Sequence, residues 1–123
     1  MNFITAAKAI KPSFTKETMG TFDGDVSINR LHKDEHISIL DVKFSPCART
    51  HWHHHEKGQL LEITTGSGWV CDKGHDPQRV KVGDIIWCPP GTVHWHGADE
   101  GESMVHRAIT YGPVDWYSPV EIR

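Results

Sequence analysis

Cysteine is scarce in this sequence of 123 residues, which holds three and no Cys-x-x-Cys pair. An odd number without close pairs argues against a disulfide framework. We therefore expect all three to be buried thiols that serve as small packing residues: Cys47, Cys71 and Cys88.

Long apolar runs and an excess of basic residues are also missing. No stretch approaches the roughly 18 residues of a membrane span, and the N-terminal stretch lacks a hydrophobic region of signal-peptide length. The formal net charge of −3 gives no basic face for nucleic acid. The expected protein is cytoplasmic, with a small-molecule substrate and without nucleic-acid or membrane partners.

Helical periodicity is nearly absent, since the single candidate is a short helix near TAAKAIK, ended by Pro12. From Thr21 onward, short extended runs alternate with glycine and proline turns. This pattern predicts an all-β domain, either a closed antiparallel barrel or a sandwich. We expect an arm with an edge strand over residues 1–36, a barrel core over 37–110, and a tail over 111–123 that packs on the domain or on a partner.

Histidine is abundant, and seven of the ten histidines fall in three tight places. Residues two apart on a strand share a face, so His53 and His55 point together while His54 points away. After a turn, Gln59 begins the next strand, and His94 follows a Pro-Pro-Gly turn. Three imidazoles buried together without partners would be costly, and a divalent metal resolves that cost by taking their lone pairs.

These residues resemble the two motifs of the cupins. The first motif, G-x5-H-x-H-x3-E-x6-G, reads here as Cys47, His53, His55, Gln59 and Gly66. The second, G-x5-P-x-G-x2-H-x3-N, reads as Gly83, Pro89, Gly91, His94 and Ala98. Every spacing is kept, so the resemblance implies a single-domain cupin with a double-stranded β-helix, or jelly-roll barrel.

The most consequential departure from the pattern is Gln59, which stands where the motif has a glutamate ligand. Three neutral histidines and a neutral amide would leave the full metal charge in the site. We therefore expect a more Lewis-acidic metal, readier to hold an anionic substrate.

A closer likeness is to the small bacterial cupins that include manganese-dependent hydroxynitrile lyases. The segments that carry it are THWHHHEKGQ, PPGTVHWHG, MVHRAI and VDWYSPV. The likeness implies one divalent ion, manganese before iron, nickel or zinc. It further implies His106 as the catalytic base and, as metal ligands, His53, His55, Gln59 and His94.

The pocket beside the metal is expected to be small and apolar. Strand alternation predicts that it is lined by Leu40, Val42, Phe44, Ala108 and Thr110. His96 shares a face with His94 and is either a donor that orients a ligand or a residue of the rim. Three tryptophans alternate with the inward positions and are expected on the outer face or against another subunit: Trp52, Trp87 and Trp95.

The function hypothesis is a carbon–carbon lyase acting on a small hydroxy or carbonyl compound, with metal as Lewis acid and His106 as base. One alternative is a dioxygenase of quercetinase-like type, because three histidines can support a metal that binds dioxygen. Another is a non-catalytic module that binds metal or ligand. The arm and the apolar tail predict a homodimer.

Overall fold

The computed structural model describes residues 1, 3 and 13–121, so the helix expected near TAAKAIK lies outside the described residues. The described part is built from strands and turns, without a helix able to cross a membrane. The strands are β1 (Thr15–Lys16), β2 (Phe22–Asp23), β3 (Val26–Lys33), β4 (Ile37–Phe44), β5 (Arg49–Thr50), β6 (His53–His55), β7 (Gln59–Asp72), β8 (Gln78–Lys81), β9 (Ile85–Cys88), β10 (His94–Ala98), β11 (Met104–Tyr111) and β12 (Val114–Trp116).

All strand pairs are antiparallel, and the main path runs β1-β3-β4-β11-β7-β10-β5-β2. Strand β7, with 14 residues, is long enough to take part in both sheets that form the two faces of the barrel. Its first half pairs with β11 and β9, and its second half pairs with β10 and β8. The all-β jelly-roll barrel predicted from the sequence is confirmed.

Gly66 allows β7 to pass from one face to the other. Its φ is +73°, and a Cβ there would lie 1.8 Å from the carbonyl oxygen of Ser103. Any other residue would collide with the backbone, because the neighbouring atom cannot move away as a flexible side chain could. The glycine that closes the first motif is thus required by close approach of two strands.

Strand β4 shows how alternation fills the core. Val42 and Phe44 are buried in the main cluster, and Leu40 packs against it half-buried. Asp41 points the other way and is also buried. The Nε of Arg107 donates to its Oδ1 at 2.9 Å, and the Nη2 donates to its Oδ2 at 3.2 Å. A bidentate ion pair thus satisfies a carboxylate that alternation alone would place in solvent.

The arm and the tail are joined to the barrel by strand pairing. Strand β3 pairs along the whole of β4, and β12 pairs with β6. The Trp116 ring lies 5.8 Å from the Phe22 ring and 4.5 Å from the His53 ring. The tail therefore packs on the barrel of its own chain through β12.

The expectation of buried thiols holds for Cys71 and Cys88 and is wrong for Cys47, which is exposed. Cys47 has a φ of 69°, the left-handed conformation that favours glycine. It therefore keeps the backbone that the first motif requires, and its side chain points outward as a result.

An apolar row crosses the outer face of the sheet, opposite the cavity. Register places Trp87 beside Leu60, then Ile109, then Ile39. Trp87 is 51% exposed and its neighbour Ile85 is 68% exposed. Trp95, expected to pack on the outer face or against another subunit, is 7% exposed because it lies under the guanidinium of Arg49.

The homodimer expected from the sequence would bury this row. We predict a sedimentation mass of twice the 13.9 kDa chain, because exposed apolar surface of this kind favours self-association. Trp87→Lys should shift the species toward one chain, since a charge there would be desolvated in the interface. A wild-type mass of one chain at micromolar concentration would contradict the prediction.

Candidate metal centre

Strands β6 and β10 bring the predicted histidines together at one end of the barrel. The register pairs His53 with His94. Their ring centroids are 4.4 Å apart, and the His55 ring lies 4.9 Å from that of His53 and 5.4 Å from that of His94. All three side chains are buried. The two histidines of the His-x-His segment and the histidine that follows the Pro-Pro-Gly turn therefore meet at one end of the barrel, as strand alternation predicts.

Backbone carbonyls orient two of these rings. The Nδ1 of His53 donates to the carbonyl of His51 at 2.8 Å, and the Nδ1 of His94 donates to the carbonyl of Thr92 at 2.9 Å. A carbonyl can only accept, so each Nδ1 carries the hydrogen and each Nε2 keeps its lone pair. This is the arrangement by which outer hydrogen bonds fix the tautomer of metal-binding histidines.

Several buried polar atoms at this end lack a hydrogen-bond partner among the described residues. They are both ring nitrogens of His55, the Nε2 of His94, the Nε2 of His96, the Nδ1 of His106 and the Oε1 of Gln59. Buried polar groups without partners are rare and costly. A divalent cation could accept one lone pair each from His55, His94 and the Gln59 oxygen and so remove much of this cost, so the residues fit the metal that the cupin resemblance implies.

His53, His94 and His96 each offer a possible ligand atom, and these three atoms lie within 4.8 Å of one another. The barrel thus has a three-histidine group that could hold a metal ion. The sequence predicts His96 either as a donor that orients a ligand or as a residue of the rim, and the structure brings it within reach of His53 and His94. The signal for this position in the sequence is its two-residue spacing from His94.

Gln59 presents an oxygen rather than a nitrogen to the cavity. Its Nε2 donates to the hydroxyl oxygen of Thr110 at 2.9 Å, which leaves Oε1 unpartnered. Because the amide is held by this bond from β11, the orientation of its oxygen is set by the barrel. An amide oxygen suits a divalent ion of the magnesium or manganese type.

His106 and His96 form a buried pair, with the Nε2 of His106 2.9 Å from the Nδ1 of His96. One nitrogen donates and the other accepts. If the Nδ1 of His96 donates, the Nε2 of His96 is free to bind a cation, but neutral His106 then accepts at Nε2, carries its hydrogen on Nδ1 and has no free lone pair. If the Nε2 of His106 donates instead, the Nδ1 of His106 keeps a lone pair that can accept a proton, and the Nε2 of His96 carries a hydrogen. With both rings neutral, either His96 can bind a metal or His106 can act as a base, but not both.

A cavity of about 200 Å³ adjoins the histidine group. Its lining includes five residues predicted for the pocket: Leu40, Val42, His96, Ala108 and Thr110. Phe44, also predicted there, does not line it. Phe44 is fully buried behind the histidine pair, with its ring 5.2 Å from that of His106. The alternation of β4 is regular, but the strand runs past the end of the cavity into the core.

The cavity lies against rows of residues that cross four strands, β7, β11, β4 and β3, although Ile63 and Leu61 at the β7 end of two rows do not line it. The deepest row is Ile63, His106, Val42 and Ile28. The middle row is Leu61, Ala108, Leu40 and Arg30. The row at the mouth is Gln59, Thr110, Ser38 and Lys33.

Sequence reasoning missed the contribution of the arm and the tail to this cavity. Trp116, Phe22 and Met19 line it, as do Arg30 and Lys33. These residues lie outside the motifs, and the register that brings them there follows from strand pairing, which no local pattern specifies. The two remaining clustered histidines are exterior: His51 lies 3.4 Å from Asp23, and His54 bonds Tyr117 at 2.7 Å.

Burial keeps the imidazoles neutral. It lowers the pKa of His55 to about 3 and that of His106 to about 4. Burial also lowers the pKa of His53 and His96 well below the usual value, and it lowers the pKa of His94. Neutral imidazoles have free lone pairs at neutral pH, which is the form that binds a metal or accepts a proton.

We predict that the metal-free protein loses stability as the pH falls below 6.5. The pKa of these histidines is lower in the folded chain than in the unfolded chain, so the unfolded chain binds more protons below 6.5. At pH 5 the loss is about 2 kcal/mol for each histidine whose folded pKa lies well below 5. It continues toward pH 3, where His55 becomes charged in the fold.

Urea unfolding at pH 7.5, 6 and 5 measures this loss. His36→Gln serves as the control, because His36 is exposed and its removal should leave the slope unchanged. The carboxyl of Asp34 does not interfere, since hydrogen bonds lower its pKa from 3.8 to about 2 and both values lie below this pH range. A urea midpoint of the metal-free protein that stays constant over this range would contradict the prediction.

Comparison with known proteins agrees with this geometry. The Cupin domain family matches residues 40–109. The chain is 39% identical over 56 residues to the (R)-mandelonitrile lyase of Granulicella tundricola, a stretch that spans 43% of each protein. The alignment thus covers less than half the length of that curated relative.

Solved structures show the same barrel. A cupin-like protein from Thermotoga maritima superposes with a TM-score of 0.84 at 37% identity, covering 87% of this chain and 86% of that one. The polyketide cyclase RemF from Streptomyces resistomycificus has a TM-score of 0.72 at 15% identity, covering 89% and 82%. The second likeness concerns the fold alone. Since the family match spans more than half of the sequence and includes both histidine motifs, this chain belongs to the Cupin domain family.

Proposed function

We propose that this protein is a metal-dependent lyase that cleaves a carbon–carbon bond in a small hydroxy or carbonyl compound. The observation that carries the proposal is the set of buried donor atoms without partners at one end of a cavity that also exposes His96 and His106. A bound cation would satisfy donor atoms of this kind, and the cavity would give a substrate access to that cation.

The proposed ligands are His53, His55, Gln59 and His94. His96 also lies within reach of His53 and His94, but a free lone pair on His106 requires that the Nε2 of His96 carry a hydrogen, so His96 is left out of the ligand set. The bound ion, manganese by the cupin resemblance, would supply Lewis acidity toward a substrate oxygen. The four side chains carry no negative charge, so nothing in the set would offset the charge of the ion.

The chain's own residues would handle the proton. His106 is neutral at pH 7, since burial lowers its pKa to about 4. With this pKa His106 is a weak base, which suits a substrate hydroxyl whose own pKa is already lowered. General base catalysis requires that the pKa of the base suit the proton it removes. His96, at 2.9 Å, can share the resulting charge through the bond between the two rings.

The apolar rows next to this pair would exclude water from the reacting carbon. Ala108 is small, and Leu40 and Val42 are apolar, so the space beside His106 fits a compact organic group. With water excluded, the proton taken by His106 would be returned to the departing fragment rather than lost to solvent.

The lyase assignment draws on the mandelonitrile lyase relative, whose name states cleavage of a cyanohydrin. Cyanide release from mandelonitrile by manganese-loaded protein is the direct test, compared with metal-free protein and with free manganese. Release that requires the loaded protein supports the proposal. Oxygen consumption without cyanide release would instead favour the dioxygenase hypothesis, and absence of both would favour a binding module.

A further inference from the structure

The cavity is charged at its mouth. Arg30 is exposed at the end of the middle row, and Lys33 is exposed at the end of the outer row. Both line the same cavity as His96 and His106. Neither forms an ion pair within residues 13–121. Two cationic side chains therefore face one small pocket with their charges available.

A shift in strand register places Lys33 in the cavity. Strand β3 pairs Arg30 with Leu40, but His32 with Ile39 and Lys33 with Ser38. In a regular strand, a residue three positions beyond Arg30 would point to the opposite face. The irregularity after Arg30 turns Lys33 to the cavity side, and bulges that re-aim a side chain are frequent next to active sites.

The charge balance in the lining is positive. Glu17 is the anionic residue among the lining residues. Its Oε1 accepts the backbone N–H groups of Thr18 and Met19, each at 2.9 Å, so that oxygen is committed to its own turn. A bound cation at the neutral histidine end would add further positive charge. The field in the cavity thus favours an anion.

We propose that the cavity takes a small organic anion, whose acidic group is held by Arg30 and Lys33 and whose reacting oxygen lies at the histidine end. The inference rests on the proposed function, which places the reaction at that end. Arg30 is one row and two strands away from His106, so their Cα atoms are about 12 Å apart. An arginine side chain and a compact substrate fill that gap together.

Polar groups at the mouth support the same orientation. The hydroxyl oxygen of Thr110 accepts from Gln59, so its own hydrogen is free to be donated toward the cavity. Ser38 lies beside Thr110 in the same row. The mouth row therefore offers two hydroxyl donors next to Lys33, whereas the deeper rows are largely apolar. A carboxylate or phosphate would be solvated at the mouth while its carbon chain lies inside.

Titration calorimetry with γ-hydroxybutyrate and its neutral amide tests the inference, with glycerol phosphate as a third probe. Manganese-loaded and metal-free protein are both titrated. We expect wild-type protein to prefer the acid to the amide. The double variant Arg30→Gln/Lys33→Gln should lose about tenfold or more in acid affinity, with amide affinity unchanged. Tighter binding of the phosphate would identify a phosphate ester rather than a carboxylate as the acidic group.

Lys43→Gln is the matched control, because Lys43 is an exposed lysine on β4 whose register position lies on the opposite face from Leu40 and Val42. The preference of this variant for the acid over the amide should equal that of wild-type protein. Equal losses of acid and amide in the double variant, or a preference that survives there, would overturn the inference. If the preference depends on Arg30 and Lys33 while no cyanide is released, the lyase proposal fails and the anion site stands.

Discussion

A His53→Ala/His94→Ala variant is expected to hold less than about one tenth of the metal bound by wild-type protein and to lose the proposed lyase activity. Removing even an outer partner of a ligand commonly costs 10- to 100-fold in metal affinity, so losing two ligands should cost more. The reason lies in the geometry: the two rings lie 4.4 Å apart, and the His94 Nε2 has no hydrogen-bond partner in the part of the chain that the structure describes. Metal content after dialysis, measured by plasma mass spectrometry, gives the result.

His54→Ala provides a matched control within the same tripeptide. His54 lies on the other face of β6, where it bonds Tyr117 and lies 3.1 Å from Asp115. Its loss should leave metal content at the wild-type level. Full occupancy in the double variant would place the metal elsewhere and remove the basis of the proposed function.

Single variants decide which side chains complete the ligand set. His55→Ala and His96→Ala remove the two other imidazoles that could complete the set. If His96 is a ligand, its loss should lower metal content as much as that of His55. If His96 only relays charge from His106, metal content stays near the wild-type level and activity falls.

The parts of this site that follow local periodicity were predictable from the sequence. His53 and His55 share a face because a strand has a period of two, and the second motif places His94 opposite them. These relations are set by spacing within a few residues. The resemblance to the cupins then predicts the barrel in which the two motifs meet.

What could not be predicted depends on register between distant strands. Lys33 faces the cavity because of an irregularity in the pairing of β3 with β4. The bond between His96 and His106 joins β10 to β11, which do not pair with each other. A one-residue slip would turn either side chain away, and the sequence offers no local signal that fixes the register.

His106→Ala is expected to reduce turnover by about 100-fold or more, the range in which general base catalysis contributes, and to leave metal content unchanged. The substitution removes the nitrogen proposed to accept the substrate proton. It also takes away the partner of the His96 Nδ1 at 2.9 Å, which leaves a buried polar group unsatisfied. Lost turnover alone would therefore not separate a base from a residue that positions His96.

His106→Gln separates the two roles. A glutamine amide reaches about as far as the imidazole Nε2 and can donate to or accept from the Nδ1 of His96, but it cannot hold a proton at neutral pH. If His106 is the base, the glutamine variant is as inactive as the alanine variant, while the urea midpoint recovers toward wild type. If His106 only positions His96, glutamine restores activity together with stability. Turnover by His106→Ala at the wild-type rate would remove this histidine from the mechanism altogether.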